Sequence, residues 1–78
     1  MTKGIRKITQ IVESAENGFE KLDFANVDAV SMFNLTLQSI DITLKVSRDA
    51  EHNADYTGIY DALIKRTETL QEELNKKL

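Results

Sequence analysis

Leu35-Thr36-Leu37-Gln38-Ser39-Ile40-Asp41-Ile42-Thr43-Leu44-Lys45-Val46-Ser47 is the stretch on which the fold turns. From Ile40 to Ser47 apolar and polar residues alternate strictly, and Ile40, Ile42, Thr43 and Val46 are β-branched. That pattern is also what a half-buried strand writes. A strand needs a pairing partner, however, and no other segment alternates over a comparable length and no hairpin turn lies nearby. Only a strand paired across a symmetric dimer would rescue that reading. A helix accounts for the same residues differently. Val30, Phe33, Leu37, Ile40 and Leu44 recur at spacings of three and four and form one stripe; Met32, Leu35, Ile42 and Val46 form a second. At about 100° per residue the two stripes fall on roughly opposite faces. We read this stretch as a helix with two apolar faces, each of which must be covered.

The flanking sequence supports that reading. The chain has no proline and only three glycines, so few breakers interrupt it. Before the central stretch, Ile5, Ile8, Val12, Ala15, Phe19 and Leu22 form a heptad-like stripe, widened by Ile11. Asn17-Gly18 lies inside it and could signal a turn, but the stripe continues beyond, which predicts a helix running through Gly18 at a cost of about 1 kcal/mol. Residues 23–26 read as a connection, with Asn26 or Asp28 capping the second helix. After the central stretch, residues 51–55 form a polar connection, with Asp55 or Thr57 as the cap. The third helix carries Tyr60, Leu63, Thr67, Leu70 and Leu74, supported by Tyr56, Ile59 and Leu78. Acid-first pairs four residues apart, Asp61 with Lys65, Glu72 with Lys76 and Glu73 with Lys77, each add a few tenths of a kcal/mol. The expected fold is all-α: three helices at about 4–22, 27–50 and 56–78, dominated by an antiparallel hairpin, in one domain spanning 1–78. Helices one and three could sandwich helix two. Otherwise another chain must cover Met32, Leu35, Ile42 and Val46, and a homo-oligomer is expected.

Composition narrows the function. In 78 residues, 10 basic and 13 acidic side chains give a net charge of −3, which provides no general drive toward nucleic acid or an anionic membrane. With no cysteine and one histidine, a thiolate nucleophile, a Cys-based zinc site and a multi-His site are excluded. No apolar run of transmembrane length occurs. The start reads as neither a secretory leader nor a myristoylation signal. A cytoplasmic location is expected.

Candidate chemical groups are few. His52, with Glu51 and Asp55, could serve a metal or a proton transfer, but a surface histidine near a helix end is the commoner case. Asp23 and Asp28 read as capping residues. Lys3, Arg6 and Lys7 read as a solvated basic terminus. Tyr56 and Tyr60, among Asp55, Thr57, Gly58 and Asp61, are candidates for a binding surface. No phosphate loop or nucleophile elbow is present, and neither an enzyme nor a cofactor is expected.

The run Leu35 to Arg48 resembles the alternating helical segment of flagellar and type III secretion rod proteins, which are short, helical and self-assembling. It covers under a fifth of the chain. The residues after it depart from those proteins, whose assembly helix lies near the carboxyl terminus. The resemblance implies, as an alternative, a structural subunit of a helical assembly. The main expectation is a non-enzymatic regulator, inhibitor or chaperone-like protein that self-associates and binds another protein. Its candidate interaction residues are Met32, Leu35, Ile42, Val46, Tyr56 and Tyr60. A second alternative is a small-ligand binder with a site between subunits near the two tyrosines.

Overall fold

The structure, a computed structural model, describes residues 3–78, with side chains from Gly4 onward. Three helices follow one another: α1 (Lys3–Glu20), α2 (Val27–Ala50) and α3 (Ala54–Lys77). The described residues contain no strand. The alternating stretch is continuous helix, so residues two apart lie about 200° apart around the axis and point to opposite sides.

The connections explain the up-down-up arrangement. Between α1 and α2, the Asp23 carboxylate accepts from the Ala25 N–H at 3.0 Å. Asn26 then caps α2 by accepting from the Ala29 N–H at 3.1 Å. Asp28 occupies the first turn of α2, where a carboxylate suits the positive end of the helix dipole. Between α2 and α3, the Glu51 carboxylate accepts from the N–H groups of His52 and Asn53, at 3.1 and 3.0 Å. Asn53 is the cap of α3, not Asp55 or Thr57; its side chain accepts from the Asp55 N–H at 2.9 Å. A three-atom reach from Asn53 meets the first free donors, so α3 begins two residues earlier than the sequence suggests. The start of α2 and the end of α3 lie together, since the Lys77 ammonium sits 5.1 Å from the centre of the Phe24 ring. At the other end, Arg48 bonds Asp61 at 3.2 Å. The hairpin is therefore antiparallel.

Helix α1 passes straight through Gly18, with no left-handed residue among the described residues. It stops at Glu20, short of Leu22. Lys21 and Leu22 close the end with tighter bonds to the carbonyls of Gly18 and Phe19, both 3.2 Å. Leu22 still reaches the core, as does Phe24 from the connection. Phe19 packs between Phe24 and Phe33, with ring centres 5.8 and 6.0 Å away. This small aromatic group closes one end of the bundle.

The core contains Val12, Ala15, Val30, Leu37, Ile40, Leu44, Leu63, Ile64 and Leu74. All but Ile64 lie on the stripes expected from sequence; Ile64 sits beside the α3 stripe. Leu78 is exposed rather than part of that stripe. Thr67 is fully buried, with its hydroxyl donating to the Leu63 carbonyl at 3.0 Å. The broadest helix contact joins α2 and α3, and α1 leans on α3 more than on α2. Glu16 and Arg66 tie α1 to α3 through two hydrogen bonds, one of them 3.1 Å. The Glu16 carboxylate raises the Arg66 pKa, chiefly by that hydrogen bonding. The acid-first pairs expected along α3 do not form: Asp61 turns to Arg48, Glu73 meets Lys76 at 3.5 Å, and Lys77 covers Phe24. Asp61 and Lys77 thus find partners outside α3, and Lys76 pairs one residue nearer than expected.

Candidate interaction surface

The inner stripe of α2 supplies Val30, Leu37, Ile40 and Leu44 to the core. Its outer stripe is left in solvent: Met32, Leu35, Ile42 and Val46 are 66, 58, 62 and 63 % exposed. Neither α1 nor α3 covers it, so a sandwich of helix two within one chain does not occur. The reason is geometric. The loop after α2 folds α3 onto the inner stripe, and Glu16–Arg66 draws α1 toward α3, leaving the far side of α2 bare. Fully burying such a side chain is worth about 1.5–3 kcal/mol, so the exposed fraction of each leaves roughly 1–2 kcal/mol unrealised.

The outer stripe is regular. Asp28, Met32, Leu35, Ser39, Ile42, Val46 and Asp49 follow one another at alternating spacings of four and three, the seam of a helix that packs along another helix. Acids stand at both ends, a small hydroxyl in the middle, and two apolar residues on each side of it. Thr36 and Thr43 flank the seam on one side, Ser31, Gln38 and Lys45 on the other. Lys45 is held by Asp41 at 2.9 Å, and this hydrogen bond is the main reason its pKa is raised.

Beyond Thr36 and Thr43 the surface drops into an open groove between α1 and α2. One part, about 510 Å³, has Ala15, Phe33 and Ile40 at its floor and Ile11 at its rim. A second part, about 240 Å³, continues past Thr43 and Ser47 to Tyr60. Ile11 lines both and is 42 % exposed. Sequence periodicity places it on the α1 core stripe; the loose α1–α2 contact leaves it at the edge of the outer surface instead.

Tyr56 and Tyr60 are half-buried on α3 and are not joined to the outer stripe. Tyr60 packs against the core and closes the far end of the groove, which Tyr56 does not line. His52 is exposed on the second connection, and no cluster of three or more His, Asp or Glu among the described residues is placed to hold a metal ion. Asp23 and Asp28 lie in the first connection and the start of α2, Asp23 bonded in its own turn. Arg6 and Lys7 are exposed, while Lys3, the third member of the basic cluster, lies outside the described side chains. No described helix is long and apolar enough to cross a membrane.

Fold and surface together define an all-α three-helix bundle with one unpaired apolar helix face. No family model, curated protein or solved structure matches the chain.

Proposed function

We propose that this protein is a non-enzymatic helical interaction module that works by docking α2, outer face first, against another helix. The observation that carries the reading is the contrast between the two faces of α2: one is packed into the core, the other lines up four exposed apolar residues at helix-packing spacing. Monomeric proteins seldom leave a large apolar patch in water without an interaction to serve. A helix in a groove is read through such residues three and four apart. Self-association and the gripping of a partner protein, as a regulator, inhibitor or chaperone-like protein does, are both uses of this surface.

The structural-subunit reading shares the same face and differs in its outcome, since an open assembly grows with concentration whereas a closed one does not. The small-ligand reading has weaker support. The groove part beside Tyr60 is below the usual size of a ligand pocket and open to solvent, and Tyr56 is not part of it.

Affinity capture with the wild-type chain and with Leu35→Lys/Ile42→Lys tests the proposal. Both positions are exposed, so the double variant keeps its fold. Proteins held by the wild type should be lost from the variant. Capture of the same proteins at the same level by both would sink the reading.

A further inference from the structure

We infer that the helix covering the outer face of α2 is α2 of a second copy, crossing antiparallel near Ser39 in a two-fold dimer. The inference rests on the interaction reading above and names its partner.

The first observation is self-complementarity. Met32 and Leu35 lie seven and four residues before Ser39; Ile42 and Val46 lie three and seven after it. A two-fold axis at Ser39 therefore sets Met32 opposite Val46 of the second copy and Leu35 within one residue of its Ile42, each contact made twice. Ser39, being small, lets the two axes approach at the crossing point. Off-centre or unequal stripes would instead leave apolar residues facing polar ones in such a pair.

Charge is the second observation. Apart from its two ends the seam is uncharged, and of its flanking positions only Lys45 is charged. The face therefore offers no pattern for an oppositely charged partner to read. Parallel pairing would set Lys45 against Lys45, Asp28 against Asp28 and Asp49 against Asp49, with the helix dipoles aligned. The antiparallel pair opposes the dipoles and separates the lysines. It does bring Asp28 toward Asp49 of the second copy, at the wet rim, where salt screens the repulsion.

Area is the third. A specific interface needs about 1,000 Å² in total, or about 500 Å² per copy, roughly a tenth of the 5312 Å² this chain exposes. Ile11, Met32, Leu35, Ile42 and Val46 are five of the seven exposed large hydrophobic residues among the described residues; four form the outer stripe, and Ile11 lines the groove that begins at Thr36. The outer stripe from Met32 to Val46 runs about 21 Å along α2, and with the Thr, Ser and Gln side chains beside it this is the face such a dimer would bury.

The chain has no cysteine, so single cysteines report the geometry directly. Sedimentation of the wild type at tens of micromolar should give twice the 8.8 kDa chain mass, unchanged or tighter when salt rises from 50 to 500 mM. Ile42→Lys should give the chain mass with its helical signal retained. On mild oxidation Ser39→Cys should form a covalent dimer. Val46→Cys alone should not, because the antiparallel pair holds its two copies about 20 Å apart, beyond disulfide reach. Met32→Cys mixed with Val46→Cys should cross-link to each other. A wild type that stays at the chain mass into the high micromolar range overturns the second copy as partner, yet leaves the docking face itself to stand or fall on the capture experiment. Cross-linking of Val46→Cys as fast as Ser39→Cys overturns the antiparallel arrangement. A mass that climbs without limit, or association that falls steeply with salt, overturns the closed apolar dimer.

Discussion

At the scale of single residues, burial decides which leucines matter. Leu63 and Leu74 are fully enclosed, and Leu63→Ala or Leu74→Ala should cost about 2–5 kcal/mol, seen as a fall in the urea midpoint. Leu70 lies on the same stripe but is only half-buried, so Leu70→Ala should cost clearly less. Equal shifts for all three would mean that α3 is rotated from the position described. Sequence spacing alone does not separate these positions, because a stripe gives direction but not depth. Gly18 is a different case. Its backbone is ordinary helix, and an added Cβ would meet only the Phe33 ring at 3.5 Å, a normal contact. Gly18→Ala should therefore raise stability by up to about 1 kcal/mol, the helix preference of alanine over glycine. A loss on thermal melting would indicate that the aromatic group of Phe19, Phe24 and Phe33 needs the space. Glu16 and Arg66, fifty positions apart in sequence, have no local signal that could pair them. Both are more than a third exposed, so the pair orients α1 more than it stabilises the bundle.

At the scale of the element, α2 shows why a strand-like sequence forms a helix. Ile40 and Leu44 belong to the core and Ile42 and Val46 to solvent, so a strict two-residue alternation is what a helix with two apolar faces writes when the faces oppose each other. The helix type, its two faces and a cap at Asn26 or Asp28 were legible, since periodicity and capping are local; the structure selects Asn26. Which face the rest of the chain would cover was not legible, because that depends on where the loops send α1 and α3. The start of α3 was missed for a related reason: Asn53, Asp55 and Thr57 are all able caps, and the Glu51 bonds to the N–H groups of His52 and Asn53 favour the first. The two faces predict opposite outcomes for one chemical change. Ile40→Lys places an ammonium in the core and should abolish the helical circular dichroism signal at room temperature. Ile42→Lys places it in water and should leave that signal in place. If both variants unfold alike, the faces are not distinct in the way described.

At the scale of the whole molecule, the chain measures 42 × 18 × 15 Å, a rod about as long as its two longer helices. A core this small is typical of chains below about 80 residues, which gain much of their stability from assembly or from other staples. The uneven packing of the three helices has a further consequence, in the order in which they come apart. Helices α2 and α3 meet across a short loop, so their pairing can start from contacts close in sequence beside that loop, at little cost in closure entropy. Helix α1 packs on the hairpin less extensively than α2 and α3 pack on each other, is tied to α3 by the half-buried Glu16–Arg66 pair, and is separated from part of α2 by an open groove. Transient release of α1 from an intact hairpin should be the lowest opening of the native state. Amide hydrogen exchange should then show the middle of α1, around Val12, losing protection faster than Leu37–Leu44 of α2 or Leu63–Thr67 of α3. Uniform protection across all three helices would mean that the bundle opens only as one unit.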